Sequence, residues 1–154
     1  MTSWSNAMRQ ALDEAAQAAS WGDVPIGAVI LDGDGQVIAR AANQRQRDDD
    51  PFAHAEMLAL QRASEIRGSW RLDDATLVVT LEPCAMCAGA IGQARLARLV
   101  FGAFDPKAGA VASLFDVLRD PRLPHRPQVV SGVLAEQCLT LMRQFFELHR
   151  QTDL

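Results

Sequence analysis

The 154-residue chain is poor in cysteine and in net positive charge, and it has no apolar stretch long enough to cross a bilayer. Its three cysteines, two of them in one C-x-x-C, suit a metal in a reducing compartment better than a disulfide framework. The net charge of −4 argues against sequence-blind nucleic-acid binding, which needs many phosphate neutralisations. Because the start, Met-Thr-Ser-Trp-Ser-Asn, lacks a basic segment followed by an apolar one, we expect no secretory signal and a cytoplasmic location.

The organisation along the chain predicts one domain, residues 1–154, because no repeat, linker or low-complexity tract interrupts it. Hydrophobic periodicity and turn residues predict five helices, over 4–19, 51–67, 84–94, 114–119 and 134–150. They also predict five strands, over 26–31, 36–41, 75–81, 96–102 and 128–133. This alternation predicts an α/β fold with a largely parallel sheet, helices on both faces and one antiparallel strand from the first hairpin.

Two short motifs carry the chemistry, His-Ala-Glu at 54–56 and Pro-Cys-Ala-Met-Cys at 83–87. One imidazole and two thiols, from His54, Cys84 and Cys87, are three ligands that zinc prefers. A tetrahedral zinc with three protein ligands keeps its fourth position open for water, as catalytic sites do. Glu56 is not needed as a ligand and is therefore available to carry protons. This H-x-E and P-C-x-x-C pattern is typical of zinc nucleobase deaminases.

The spacing of these residues sets a condition on the fold. Cys84 and Cys87 are one helical turn apart and share a face, and Pro83 suits the first turn, where helix N–H groups favour thiolates. His54 and Glu56 are two residues apart, so inside a helix their side chains would point nearly opposite ways. Both can serve one site only if His54 lies at the very start of its helix.

Other interpretations of the motifs stay open from the residues alone. A C-x-x-C that follows a strand and opens a helix also fits a thioredoxin-like redox pair, and an isolated His-x-Glu is usually surface sequence. The two motifs at the starts of successive predicted helices favour zinc. The third cysteine, Cys138, is expected to be a small buried residue in the last helix.

Further stretches along nearly the whole chain follow a family pattern. They are residues 24–29, 50–56, 80–90 and 101–110, with Asn43, Ser113, Leu114, His125 and Arg126. On these stretches the sequence resembles the cytidine-deaminase-like superfamily and, within it, the bacterial tRNA wobble adenosine deaminases. The zinc motifs are common to the superfamily, whereas the loop after Phe101 and the His125-Arg126 pair point to the tRNA branch.

The resemblance implies a three-layer α/β/α fold with a five-stranded mixed sheet and one Zn2+ per subunit, with no organic cofactor. It implies a hydrolase that converts the wobble adenosine of a tRNA anticodon loop to inosine and releases ammonia. Glu56 would move protons from water to the adenine ring and to the leaving amine. Asn43 and Asp105 would contact the target nucleoside and its neighbour, and Lys107 the RNA backbone.

The family also implies a homodimer. Small residues on the helix after Cys84 would let a partner approach, or would equally let the helix pack on its own sheet: Ala85, Ala88, Gly89, Ala90 and Gly92. Two features depart from the family, a C-terminal end that is barely basic and Phe104 at a position often filled by arginine. Phe104 can stack on a base, although burial is the default expectation for a loop aromatic. An RNA footprint would instead use arginines 45, 47, 119, 122 and 126.

Three hypotheses therefore remain. The first is the tRNA adenosine deaminase. The second keeps the zinc site but gives it a free base or nucleoside of the guanine or cytosine type, which the low net basicity motivates. The third is a redox protein that uses the C-x-x-C, or a zinc-stabilised binding module without turnover.

Overall fold

A five-stranded mixed sheet forms the centre of the molecule in the computed structural model, which describes residues 3–152. The strands are β1 (Gly27–Leu31), β2 (Val37–Ala42), β3 (Thr76–Leu81), β4 (Arg98–Ala103) and β5 (Gln128–Val130). They lie in the order β2-β1-β3-β4-β5. The first strand pairs antiparallel with β2 and β3, while β3, β4 and β5 are parallel.

Within residues 3–152, four helices cover the two faces of this sheet. They are α1 (Ser5–Ser20), α2 (Ala55–Arg67), α3 (Ala85–Gln93) and α4 (Ala135–Thr152). None of these helices combines the length and the apolar character that a bilayer crossing requires. The predicted α/β architecture, with a mixed sheet between two helical layers, is confirmed.

Alternation along the strands divides the hydrophobic core into two halves. Ile30, Leu77 and Leu99 point to one face and pack with α2 and α3. Val29 and Val78, each one residue away from a member of the first set, point to the other face and pack with α1 and α4. Only three residues, 82–84, separate the end of β3 from the start of α3, so this packing fixes where the carboxyl end of β3 meets the helices.

The predicted short helix over 114–119 is wrong, since those residues form turns and an irregular loop. Its backbone N–H groups have other partners. The N–H groups of Leu114 and Phe115 both donate to the carbonyl oxygen of Gly109, at 2.9 and 3.1 Å, and Val117 N–H donates to Ala110 O at 2.9 Å. These bonds close a compact loop in place of a helical turn.

Two other predicted boundaries shift by three residues or more. The helix expected from residue 51 begins only at Ala55, because residues 51–52 form a turn in which Phe52 N–H donates to the Asp50 carboxylate at 2.9 Å. The helix ends as expected, at Gly68 with φ +69°. The last strand stops at Val130 instead of residue 133, since Gly132 turns the chain with φ +80° and Leu134 with φ +51°.

Candidate metal centre and active-site cavity

Two helix N-termini bring the predicted metal ligands together. His54 is the N-cap of α2 and has extended backbone angles, φ −73° and ψ 150°. Cys84 is the N-cap of α3, with φ −73° and ψ 176°. The condition that His54 should lie at the very start of its helix is therefore met, and the imidazole is free of the helical periodicity that would point it away from Glu56.

The three ligand atoms form a cluster of the size a metal needs. His54 Nδ1 lies 3.7 Å from Cys84 Sγ and 3.5 Å from Cys87 Sγ, and all three atoms lie within 4.8 Å of one another. Zinc bonds of about 2.0–2.1 Å to nitrogen and about 2.3 Å to sulfur, at a tetrahedral angle, separate the two atoms by about 3.6 Å. The residues present thus fit a tetrahedral thiophilic cation.

The two thiols divide their protons unequally. The hydrogen bond from Cys87 lowers the pKa of Cys84 to about 4, against the effect of burial. The same hydrogen bond to Cys84 raises the pKa of the Cys87 thiol, and burial raises it further. A hydrogen bond with Cys84 also raises the pKa of His54. A cation bound between these sulfurs would favour the thiolate form of both and release the protons that they hold.

Glu56 lies in the first turn of α2, next to this cluster but outside its ligand set. Its side chain is only 4% exposed, and burial raises the pKa of its carboxyl group. A carboxyl group whose pKa moves toward neutrality can both accept and donate a proton at working pH. The position and the environment of Glu56 suit proton transfer better than metal ligation.

A cavity of about 510 Å³ opens above the cluster and collects the other predicted residues. Asn43, His54, Glu56, Asp105 and Lys107 all line it. Cys84 and Cys87 do not line it, but their sulfurs lie 3.7 and 3.5 Å from His54 Nδ1, and His54, Glu56 and these two sulfurs together form the floor of the site. The structure therefore brings the predicted ligand, acid–base and substrate-contact residues into one continuous site.

Two hydrogen bonds to backbone groups, one at each polar atom of the amide, hold the side chain of Asn43. Its Nδ2 donates to Val24 O at 3.1 Å, and its Oδ1 accepts from Arg45 N–H at 3.2 Å. An amide group has two donors and two acceptor lone pairs, so one of each is still available to a ligand. The side chain is thus held in one orientation at the cavity wall.

The loop that follows β4, residues 105–113, supplies a second wall through Asp105, Pro106 and Lys107. Asp105 Oδ1 accepts the N–H groups of Lys107 and Ala108, at 3.1 and 3.3 Å. Among the residues that the structure describes, no hydrogen bond reaches the other carboxylate oxygen, Oδ2. Asp105 therefore shapes its own loop and keeps one oxygen for a ligand.

Beneath this loop lies Glu82, a residue that the sequence reasoning did not single out. Burial disfavours its charge, but the hydrogen bonds it accepts, from Ser113, Ala112 and Asp105, outweigh burial and lower its pKa. In the sequence, Glu82 is marked only by its position directly before the Pro83-Cys84 motif, and that position alone does not indicate its role.

The expectation that Phe104 is buried is wrong. Its ring is 48% exposed and lines the cavity, where an edge-to-face contact with Phe101, 5.1 Å between centroids, fixes its orientation. Phe101 fills the buried position in this part of β4. Phe104, the next aromatic residue in the chain, therefore lies at the entrance of the cavity. Phe104 therefore offers an apolar ring edge and face to a ligand.

The sequence reasoning also missed the wall that α4 contributes. Leu139, Met142 and Phe146 line the cavity on one helical stripe, and Phe146 is 44% exposed. Their i, i+3, i+7 spacing was visible, but it indicates only a core-facing helix when no site has been located. Asp23 was missed as well; it is buried at the cavity and accepts the N–H groups of Gln46 and Arg47, at 2.7 and 3.0 Å.

The five arginines considered for an RNA footprint occupy different settings. Arg45 alone among them lines the cavity. Arg47 lies over the Trp21 ring at 4.3 Å. Arg119 and Arg122 form ion pairs with neighbouring aspartates, and Arg126 is exposed. Of the five, Arg45 is therefore the one placed to contact a ligand in the cavity directly.

The comparisons with known proteins agree with this site. A family model described as MafB19-like deaminase matches residues 2–146. The tRNA-specific adenosine deaminase of Bacillus subtilis is 49% identical over 139 residues, which cover 90% of this chain and 86% of that protein.

Two solved structures share the fold. One comes from biochemical and structural studies of A-to-I editing by tRNA:A34 deaminases at the wobble position of transfer RNA. It has 46% identity and a TM-score of 0.83, with 87% of this chain and 96% of that chain covered. The other, guanine deaminase from Bacillus subtilis, has 30% identity and a TM-score of 0.61, with 94% and 91% covered. The chain therefore belongs to the deaminase family and, within it, to the tRNA-specific adenosine deaminases.

Proposed function

We propose that this protein hydrolytically deaminates the wobble adenosine of a tRNA anticodon loop to inosine and ammonia. One observation carries the proposal: His54, Cys84 and Cys87 form a three-ligand cluster beneath a cavity of about 510 Å³ into which Glu56 projects from a buried position. This arrangement supplies three ligands for a metal, a proton carrier and room for a base. Family membership, with 49% identity to a tRNA-specific adenosine deaminase, selects the substrate class.

His54 Nδ1 and the sulfurs of Cys84 and Cys87 would hold zinc, one ion per subunit. When bound there, zinc supplies Lewis-acid activation of water at neutral pH. Glu56 takes a proton from the attacking water and delivers it to ring N1 of adenine as attack occurs at C6. It then moves the second proton of that water, from the hydroxyl now on C6, to the exocyclic amine, and the C6–N bond breaks to release ammonia and leave the carbonyl of inosine. Its raised pKa, caused by burial, suits both the accepting and the donating step.

The cavity walls would orient the nucleotide. Asn43 keeps one amide donor and one acceptor site for the target nucleoside, and Asp105 Oδ2 accepts from a ribose or base donor. Lys107 and Arg45 supply positive charge for the phosphates on either side of the target. Phe104 stacks on the neighbouring base in the single-stranded loop, where little unstacking is required.

We further propose that residues 1–154 act as one catalytic domain, in the cytoplasm and as a homodimer. Support for the dimer comes from the face of α2 and α3. Trp70 is 61% exposed beside Met57 and Ala90 at a shallow depression, and a side chain at Gly89 would meet open space. A stable partner would cover this apolar surface. Ala88, by contrast, packs into the core of its own subunit.

The test of the proposed function is a substrate panel on zinc-loaded protein. An anticodon stem-loop with adenosine at the wobble position is compared with the same stem-loop carrying that adenosine one position away. Guanine and cytidine are assayed in parallel. We expect inosine and ammonia in equal amounts from the wobble substrate alone.

A second candidate, deamination of a free base, is favoured by the low net basicity and by the 30% identity to a guanine deaminase. Ammonia from guanine or cytidine, with no inosine from the stem-loop, would establish this second candidate and reject the first. If no substrate is turned over while Cys84 and Cys87 form a reversible disulfide, the protein is a redox protein instead.

A further inference from the structure

Glu82 is a buried glutamate that precedes the metal motif in the chain and contacts the 105–113 loop, which forms one wall of the cavity. It follows the last residue of β3 and precedes Pro83 and Cys84. It is 2% exposed, and its backbone N–H donates to Ala103 O at 2.8 Å, which anchors it to β4. Carboxylates are rarely buried without partners, so its surroundings must supply donors.

Those donors all come from the loop over residues 105–113. Oε1 accepts the N–H of Asp105 at 3.0 Å and the hydroxyl of Ser113. Oε2 accepts the N–H groups of Val111, Ala112 and Ser113, at 3.1, 2.8 and 2.9 Å. One carboxylate therefore joins both ends of the loop, and hydrogen bonds to a charged acceptor are the stronger kind.

The loop closes around the carboxylate without spare room. A Cβ atom on Gly109 would overlap the carboxylate of Glu82 and the carbonyl oxygen of Asp105. Gly109 N–H donates to Asp105 O at 2.8 Å, and Ala110 N–H donates to Pro83 O at the same distance. The backbone of the loop is thereby fixed to the segment that begins α3, which carries the cysteine ligands.

Within the described part of the chain, Glu82 contacts neither the cavity nor the metal-ligand cluster. It does not line the cavity, and it lies outside the cluster of His54, Cys84 and Cys87. The wall it supports does line the cavity, through Asp105, Pro106 and Lys107. Any effect of Glu82 on the reaction must therefore pass through the placement of that wall.

We propose that Glu82 is a positioning residue that holds the 105–113 loop in register with the metal-binding helix. Its carboxylate sets the distance between Asp105 and Lys107 on one side and the ligand cluster on the other. The effect on RNA turnover rests on the proposed function, whereas the ordering of the loop does not. Without the Glu82 carboxylate, the substrate would bind more weakly or in a shifted orientation.

The first test compares Glu82→Gln with the wild type and with Glu136→Gln, an exposed glutamate on α4 that does not line the cavity. Three quantities are measured: zinc per subunit, hydrogen exchange of individual amides, and kcat and KM on the wobble stem-loop. Glutamine replaces one acceptor oxygen by a donor that faces N–H groups. We expect exchange at Asp105, Val111, Ala112 and Ser113 to accelerate at least tenfold, with unchanged exchange in β3 and α3.

In the same variant we expect one zinc per subunit and a KM raised at least tenfold. Glu82→Asp, which keeps the charge but is one methylene shorter, should recover part of both losses. Glu136→Gln should match the wild type in all three quantities. Loss of zinc from Glu82→Gln, or a lower melting temperature with unchanged loop exchange and unchanged KM, would overturn the proposal.

A second pair of variants keeps the proposal testable if Glu82→Gln does not fold. Gly109→Ala pushes the loop away from an intact carboxylate, and Ser113→Ala removes the hydroxyl donor only. We expect Gly109→Ala to reproduce the loop exchange and the KM effect, and Ser113→Ala to give a smaller change in the same direction. Unchanged exchange in both variants would reject the role of Glu82.

The exchange measurement also separates this proposal from the proposed function. If wild-type protein does not deaminate the stem-loop, while Glu82→Gln still accelerates exchange in the loop, then the substrate assignment fails and the ordering role stands. If the wild type is active and the loop exchanges at the same rate in all variants, then the positioning role fails and the substrate assignment stands.

Discussion

The floor and the entrance of the cavity are built in different ways. On the floor, His54 and Cys84 cap two helices and bring their ligand atoms within 4.8 Å of each other and of Cys87. At the entrance, Phe104 and Phe146 come from a loop and from the C-terminal helix, and each is nearly half exposed. The floor is defined by local backbone rules, whereas the entrance depends on how distant segments pack.

This difference indicates how reaction and substrate selection are divided in the molecule. The buried floor, with a carboxyl group whose pKa burial raises, sets which chemistry is possible. Phe104 and Phe146 at the entrance are nearly half exposed and belong to neither half of the hydrophobic core, so they can change without loss of the core. We therefore expect variants of the floor to abolish turnover and variants of the entrance to weaken substrate binding.

The largest effect is expected from the floor. Cys87→Ala removes a buried ligand, so zinc content should fall from one per subunit to below about a tenth and inosine formation should become undetectable, because two protein ligands do not complete a catalytic zinc site. Elemental analysis and the stem-loop assay measure these two quantities.

Cys138→Ala is the matched control for that variant. Cys138 is also buried, but burial raises its pKa to about 11, and it lies on α4 outside the ligand cluster. Its variant should keep zinc and turnover. Equal loss of metal in both variants would mean that cysteine removal acts through folding and not through ligation.

The next effect separates metal binding from proton transfer on the same floor. Glu56→Gln keeps the size of the side chain but removes its proton chemistry, so kcat should fall by about 10²–10⁴-fold, the range for one positioned acid–base group. Zinc should stay at one per subunit. Metal loss in this variant would make Glu56 a ligand or its support and would contradict the assigned division of roles.

Sequence reasoning succeeded where the structure obeys local rules. The metal motifs, the end of α2 at Gly68 and the presence of five strands follow from periodicity, capping and turn chemistry, whereas the start of α2 lies four residues later than predicted. The placement of the ligand cluster was predictable for the same reason, since both motifs mark helix starts at one end of the sheet.

It failed where long-range contacts decide. Residues 114–119 carry a helix-like pattern, yet Leu114, Phe115 and Val117 donate backward to Gly109 and Ala110. The apolar stripe of α4 is compatible with a core or a cavity, and only the position of the helix against β4 distinguishes them. Burial is the default expectation for a loop aromatic, and it fails at Phe104 because Phe101 already fills the buried position against which Phe104 packs.

The smallest effect is expected at the entrance. Phe104→Leu keeps an apolar side chain but removes the ring, and base–aromatic stacking contributes about 1–3 kcal/mol per base. The Kd for the wobble stem-loop should therefore rise about five- to 150-fold. Binding is measured by fluorescence anisotropy in the Glu56→Gln background, so that no substrate is consumed.

The same stem-loop with an abasic nucleotide beside the target identifies the partner of the ring. Phe104→Tyr keeps the ring and should bind within about twofold of the parent protein. Removal of the stacked base should weaken RNA binding by the parent protein. It should leave RNA binding by Phe104→Leu almost unchanged, because removing the ring and removing the base eliminate the same contact. If the leucine variant loses the same affinity for intact and abasic RNA, Phe104 acts by shaping the cavity entrance and not by stacking.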